Sequence, residues 1–266
     1  MISVVHFQYM SDGGEIAKRL VSSKKPFLAS IVPDLLDKCL KTAEGEDISG
    51  RIHPENNYYP NWAVDFFREN KRNRNITWIQ EGCRHCCGRC FNKLEKNRKS
   101  GKEWPDPFHE HVCLDGNTQS LEAQFVVMDV GRKLMIDKLG IYPEGYCPPN
   151  HLSNDNTLSA ARKVGFEYFL TRDATDYFPL PRLGPYRSEN GLIILPEARL
   201  GSRNPDLVFT YYDHLERGKL DEYLPILRDS RDLSKIHLAK APFALGRINQ
   251  TAIFLYKFSR DFRNRC

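Results

Sequence analysis

Short apolar segments alternate with amphipathic helical segments over the first two-thirds of the chain, and this order limits the possible folds. The sequence predicts strands at 4–7, 26–33, 75–80, 145–149, 168–171, 192–195, 207–212 and 252–256. It predicts helices at 15–23, 34–42, 61–70, 120–139, 156–164 and 220–227. Strands that alternate with helices form a mostly parallel sheet with the helices outside it. We therefore expect an α/β fold, either a barrel or an open sheet.

The length and composition fit one large domain. The chain has 266 residues, of which 41% are hydrophobic, and α/β barrels reach about 250 residues as single units. We expect a single domain over 1–266, interrupted by a Cys- and Lys-rich insertion at 83–117. No apolar stretch approaches the roughly 20 residues of a membrane span, and the first residues do not resemble a signal peptide. The sequence therefore predicts a cytoplasmic protein without a membrane segment.

Several common catalytic motifs are absent from the sequence. There is no G-x-G-x-x-G and no G-x-x-x-x-G-K-[ST], so neither phosphate-binding loop is indicated. There is no G-x-S-x-G either, so a serine-nucleophile hydrolase has no support. Residues 68–102 hold eleven Lys and Arg against three Asp and Glu. This basic stretch could bind phosphates, but without stacking aromatics it indicates a solvated surface insertion, and nucleic acid is not an expected partner.

The cysteines of the insertion have the spacing of a metal site. Two C-x2-C units follow one another directly at 83–90, and each can present two thiolates to one zinc ion. A further pair of ligands follows near the end of the insertion. We hypothesise a structural zinc bound by Cys87, Cys90, His111 and Cys113. Unmodified thiols are the alternative reading, and a disulfide is a third.

Polar residues follow the predicted strands at the rim where active sites of parallel α/β folds lie. Three of these motifs are E-G-C-R-H at 81–85, G-Y-C-P-P-N-H at 145–151 and T-L with G-F at 157–166. In this order they resemble the polysaccharide deacetylase superfamily, and are most similar to its divergent predicted-deacetylase branch. The resemblance extends over residues 4–214 and is most specific at 141–171.

The resemblance implies a distorted (β/α) barrel that removes acetyl groups from an N-acetylated carbohydrate or related amide. It also implies a divalent metal, with zinc favoured, held by one Asp and two His. By this similarity the metal ligands are Asp12, Glu81 and His85, and His214 is the general acid. Asp12 could instead be the general base, which would leave Glu81 and His85 with water on the metal.

Four more positions belong to the substrate and oxyanion region that the resemblance implies. Cys147 stands where the family has an arginine that orients the base, and Asn150 stands where it has an aromatic residue. His151 follows the Pro-Pro turn and could line the site. Asp173 lies where the family has a supporting acidic motif. These differences leave a second reading open, in which the fold is kept without catalysis and binds a glycan or a partner.

Overall fold

The computed structural model describes seven stretches of the chain and a few single residues. The stretches are 2–7, 15–36, 59–84, 110–112, 118–172, 184–199 and 208–212. The single positions are 221, 222, 225, 230, 232, 233, 238 and 251. The predicted strand at 252–256, most of the insertion and most of the predicted helix at 220–227 lie outside the described residues.

Four helices and eight strands follow one another in the described residues. The strands are β1 (Ile2–Phe7), β2 (Phe27–Ile31), β3 (Ile76–Glu81), β4 (Gly145–Cys147), β5 (Tyr168–Arg172), β6 (Tyr186–Arg187), β7 (Ile193–Arg199) and β8 (Val208–Tyr212). The helices are α1 (Glu15–Ser22), α2 (Asn61–Asn70), α3 (Leu121–Leu139) and α4 (Asp155–Val164). Short 3-10 turns occupy Pro33–Leu36 and Pro149–His151. The first of these stands where the sequence predicted the start of a helix at 34–42.

The parallel strands close into a barrel. The sheet order is β5-β4-β3-β2-β1-β8-β7-β6, and a further pairing joins β5 to β7. This pairing completes a ring of seven strands, all of them parallel to their neighbours. The two-residue strand β6 runs antiparallel to β7 outside the ring. The predicted α/β barrel is therefore confirmed, and β6 is an element that the sequence did not indicate.

The outer face of the ring packs against the helices. Outward side chains of β1, β2 and β3 share one buried cluster with residues of α1, α2 and α3, including Phe7, Ala29, Trp78, Leu20, Phe67 and Met135. A second cluster joins β4, β5 and β7 to α3 and α4 through residues such as Tyr146, Phe169, Ile194, Met128 and Ala161. Helices thus cover the outside of the barrel, as parallel strands require.

The inside of the ring is apolar in its middle. Alternate residues of a strand point to one face, and the inward ones at this level are Val4, Leu28, Ile79, Leu170 and Leu195. We call these five buried residues the apolar layer. Gly145 contributes no side chain beside them, because a Cβ there would lie 2.6 Å from Ile79 Cδ1 and 2.9 Å from Tyr168 Cβ.

The helix ends follow from local sequence. Ser120 precedes α3 and accepts a hydrogen bond from the Ala123 amide, and Gly140 ends the helix in the left-handed conformation at φ 69°. Asn154 and Thr157 form a reciprocal capping box at the start of α4. None of the helices in the described ranges is both long and apolar enough to span a bilayer.

Candidate active site

A layer of polar side chains lies at the carboxyl end of the barrel interior, directly above the apolar layer. Each member follows an apolar-layer residue by two positions on the same strand, so it points to the same inner face. We call these residues the polar layer: His6, Ser30, Glu81, Arg172 and Glu197. All of them are buried, with at most 2% of their surface exposed. Catalytic residues of α/β barrels lie at this end of the strands.

His6 connects two carboxylates from opposite parts of the ring. Its Nδ1 lies 2.9 Å from Glu81 Oε2, and its Nε2 lies 3.0 Å from Glu197 Oε2. Burial by itself lowers the pKa of His6, but the two carboxylates outweigh this and raise the pKa to about 10. The imidazole is therefore protonated at neutral pH and donates a hydrogen bond to each carboxylate.

Two further groups complete the charge and hydrogen-bond pattern of the polar layer. The Ser30 hydroxyl donates to Glu81 Oε2 at 3.2 Å. Arg172 is buried at the end of β5, where the strand register pairs it with Glu197. One imidazolium and one guanidinium thus balance two carboxylates in a buried region where net charge would be costly.

Cys147 and His151 lie beside the polar layer at the end of β4. Cys147 Sγ is 3.9 Å from His151 Nδ1 and 4.0 Å from Glu197 Oε1. The chain turns sharply between the two residues, because Asn150 and His151 both have left-handed backbone angles, with φ 54° and 55°. Such angles cost about 1–3 kcal/mol each in residues other than glycine and cluster at functional sites.

The structure brings together four of the residues that the sequence assigned to the site. Glu81, Cys147 and His151 are buried near one another, and Asn150 is half-buried in the same turn. The other assigned residues, Asp12, His85, Asp173 and His214, lie outside the described residues, so their roles stay predictions. His6 and Glu197 were not assigned from the sequence. The signal that could have found them is a polar residue two positions after an inward apolar residue of a buried strand.

The end of β3 is held by the part of the insertion that the structure describes. Glu110 accepts hydrogen bonds from the backbone amides of Cys83 at 2.7 Å and Arg84 at 3.0 Å. Gly82 has φ +57°, and a Cβ there would lie 2.4 Å from Glu110 Oε2. Burial, followed by the Glu110 and Asp34 carboxylates, raises the pKa of the Cys83 thiol. This thiol therefore stays protonated and is a poor nucleophile.

His111, a predicted ligand of the structural zinc, lies on the outer side of β4. Its Nδ1 is 3.1 Å from Gln119 Oε1, and its Nε2 is 2.5 Å from the Tyr146 hydroxyl. A zinc ion bound to His111 would have to replace one of these hydrogen bonds. The other three ligands, Cys87, Cys90 and Cys113, lie outside the described residues, so this zinc site stays a prediction.

The donor atoms at the barrel mouth fit a divalent metal of the zinc type. Two groups of three have ligand atoms that all lie within 4.8 Å of one another: His6, Glu81 and Cys147, and Cys147, His151 and Glu197. Each group combines nitrogen, oxygen and sulfur, which are the ligands that zinc takes in proteins. The described residues thus fit a metal centre, with partners that differ from the Asp and two His of the superfamily.

Neither a comparison with protein-family models nor one with curated protein sequences gives a match. Among solved structures, a de-N-acetylase from Aggregatibacter actinomycetemcomitans is 14% identical, with a TM-score of 0.42, over 64% of this chain and 62% of that one. The BpsB deacetylase domain from Bordetella bronchiseptica is 13% identical, with a TM-score of 0.46, over 79% of this chain and 72% of that one.

A third solved structure comes from a different class of carbohydrate enzyme. The 4-alpha-glucanotransferase from Thermococcus litoralis is 14% identical, with a TM-score of 0.44, over 93% of this chain and 40% of that one. The chain spans less than two thirds of the length of this protein and of the de-N-acetylase. Deacetylases are thus among the solved structures to which the chain is similar.

Proposed function

We propose that this chain is a carbohydrate deacetylase-type hydrolase that removes acetyl groups from N-acetylated sugars at the carboxyl mouth of the barrel. The observation that supports it is the polar layer, where two buried carboxylates are held by one imidazolium at the end of the parallel strands. Buried ionisable groups with shifted pKa values gather at catalytic sites, because proton transfer requires them.

Hydrolysis of an acetamide adds water to the carbonyl carbon and breaks the C–N bond, which gives acetate and an amine. The step needs a base for the water, a proton donor for the amine and stabilisation of the oxyanion. A bound divalent metal would polarise the carbonyl and lower the pKa of the attacking water. Glu81 is the carboxylate that we assign as the base, with His6 and Ser30 fixing its orientation.

The remaining roles rest on the sequence. The donor of the proton to the leaving amine is the predicted His214, and the roles of Asp12, His85 and Asp173 stay predictions from the family resemblance. In the turn at 148–151 only Asn150 and His151 carry a backbone N–H, because the first two residues are prolines. The His151 amide already donates to the Pro148 carbonyl at 2.8 Å, so we assign the Asn150 amide to the oxyanion.

Acetate release from N-acetylated mono- and oligosaccharides tests the proposal. The full chain is loaded in turn with zinc, cobalt and manganese, and we expect release with at least one of them. Glu81→Gln should lower the rate by about 100-fold or more, since a positioned base contributes that much. The matched control is Glu69→Gln on the exposed face of α2, which should leave the rate unchanged.

A binding role without catalysis is the second candidate, and one observation favours it. The charges of the polar layer compensate each other within the protein, so the layer is stable without a substrate or metal. If no metal gives acetate release over the whole sugar panel while the same sugars bind in calorimetry, the chain is a glycan-binding protein. Activity that Glu81→Gln does not lower would show that another group is the base.

A further inference from the structure

We propose that Cys147, His151 and Glu197 bind a zinc ion through one sulfur, one nitrogen and one oxygen, with a fourth position left for water or substrate. This ligand set differs from Asp12, Glu81 and His85, which the family resemblance implies. The inference deepens the proposed function, because the ion would lie in the same centre as Glu81. It also stands apart from that function, since metal binding is measured without a substrate.

Two of the three distances between the donor atoms are close to those of a zinc site. Cys147 Sγ lies 3.9 Å from His151 Nδ1 and 4.0 Å from Glu197 Oε1. A tetrahedral zinc with a Zn–S bond of about 2.3 Å and Zn–N and Zn–O bonds of about 2.0–2.1 Å separates sulfur from nitrogen or oxygen by about 3.5 Å. The sulfur therefore needs to approach each of the other two donors by only a few tenths of an ångström, and the nitrogen and oxygen donors lie within 4.8 Å of each other.

The other group of potential ligands, His6, Glu81 and Cys147, fits less well. His6 Nδ1 and Glu81 Oε2 are 2.9 Å apart, which is a hydrogen-bond distance with a proton between the two atoms. A metal could bind there only after this hydrogen bond was broken. His6 instead supports the group of Cys147, His151 and Glu197. Its Nε2 lies 3.0 Å from Glu197 Oε2, which leaves Glu197 Oε1 on the side of Cys147. Hydrogen bonds of this kind orient ligating carboxylates.

The chemistry of the three donors selects the ion. Three protein ligands and one open position are typical of catalytic zinc, whereas structural zinc has four protein ligands. The thiolate disfavours magnesium, calcium and manganese, which prefer oxygen. The Cys147 thiolate offsets one of the two positive charges of zinc, so the ion adds one net positive charge to the polar layer, in which Glu197 already balances a positive group.

The local backbone has the shape that such a site requires. Pro148 and Pro149 stiffen the segment after Cys147, and the two left-handed residues that follow return the chain toward β4. His151 Nδ1 thereby comes within reach of the thiol only four residues away. Glu197 reaches the same point from β7, which is separated from β4 by β5 in the ring.

Metal content and cobalt spectra of the full chain test the site. We expect Cys147→Ser, His151→Ala and Glu197→Gln each to lose one zinc equivalent relative to the wild type, as measured by mass spectrometry of the metal. The cobalt-loaded wild type should show thiolate-to-cobalt absorption in the near ultraviolet, and Cys147→Ser should lose the part due to this thiol. Cys83→Ser is the matched control, since it removes a second buried thiol outside the donor group, and should keep the full zinc content.

A conservative variant separates loss of a ligand from loss of the fold. Cys147→Asp keeps a ligating group, so it should retain the zinc equivalent while losing the thiolate absorption. If Cys147→Ser keeps all its zinc, or if Cys147→Asp loses it while its circular dichroism stays native, the site is wrong. Loss of zinc in Asp12→Asn and His85→Ala, with retention in Cys147→Ser, would assign the metal to the ligands that the family resemblance implies.

The two proposals fail independently in these experiments. A chain that binds zinc through Cys147 and releases no acetate from any sugar contradicts the proposed function and leaves the metal site in place. A chain that releases acetate while its zinc is unaffected by Cys147→Ser contradicts the metal site and leaves the function in place.

Discussion

Two layers inside the same barrel differ in chemistry although only two residues separate them along each strand. The apolar layer fills the middle of the ring with Val4, Leu28, Ile79, Leu170 and Leu195. The polar layer, on the same strands and equally buried, consists of His6, Ser30, Glu81, Arg172 and Glu197. Burial is thus the same in both layers, and only the side chains and their position along the barrel axis differ.

The two layers contribute differently to the stability of the fold. Burying an aliphatic side chain contributes about 1.5–3 kcal/mol. Burying charged groups removes their hydration, which costs free energy. Their mutual attraction offsets this cost only when each group has an oppositely charged partner and all its hydrogen bonds. The polar layer meets this condition through His6, yet aliphatic residues of similar volume would stabilise the barrel as well or better. Stability alone therefore does not account for the polar layer at this end of the barrel.

We expect the largest loss of stability from a substitution in the polar layer. His6→Leu removes the shared donor of two buried carboxylates, and Glu81 and Glu197 are left with an uncompensated charge. Breaking a buried ion pair in this way costs about 3–5 kcal/mol. Urea denaturation of the variant should show a loss of unfolding free energy of this size.

A double variant is the control for this prediction. His6→Leu with Glu81→Met removes one positive and one negative charge together, so that Arg172 and Glu197 still balance each other. We expect this protein to recover most of the stability that His6→Leu loses, as a coupling energy in a double-mutant cycle. Equal loss in both variants would mean that packing, and not charge compensation, makes His6 important.

Substitutions in the apolar layer should change the unfolding free energy through packing alone. Leu170 is fully buried inside the ring, and Leu170→Ala should cost about 2–5 kcal/mol because it leaves a cavity among the strands. Val126, which is 54% exposed on α3, is the control, and Val126→Ala should change the stability by less than about 0.5 kcal/mol. Thermal and urea unfolding measure both variants. Similar values for the two would contradict a close-packed barrel interior.

The elements of the fold could be predicted wherever local signals are strong. α3 was predicted from 120 to 139 because Ser120 caps it and Gly140 ends it. The strand predicted at 145–149 is shorter, because Pro148 cannot donate to the sheet and a 3-10 turn follows. The ring closes because β5 pairs with β7, and local sequence does not show which strands pair. The residues themselves therefore left a barrel and an open sheet as alternatives, and the family resemblance favoured the barrel.

The site was predicted only in part, for a physical reason. Glu81, Cys147 and His151 lie at or just after the ends of predicted strands, which is where active sites of parallel α/β folds are expected. His6 lies within the predicted strand at 4–7, where a polar residue resembles an ordinary packing position, and Glu197 lies two residues beyond the predicted end of the strand at 192–195. Their role follows from which side of each strand points inward and from which strands meet across the ring, and neither is local information.

The smallest expected change in stability comes from replacing either of two equally buried serines by alanine. Ser30 belongs to the polar layer and donates to Glu81, whereas the Ser3 hydroxyl, on the outer side of β1, has no hydrogen-bond partner among the described residues. Ser30→Ala should cost about 1.5–3 kcal/mol, since hydrogen bonds to charged groups contribute this much. Ser3→Ala should be neutral or slightly stabilising in the same urea titration, because a buried hydroxyl without a partner costs free energy. A loss in Ser3→Ala as large as in Ser30→Ala would show that the hydrogen bond to Glu81 contributes nothing specific, and the distinction between the two faces of the sheet would fail at this position.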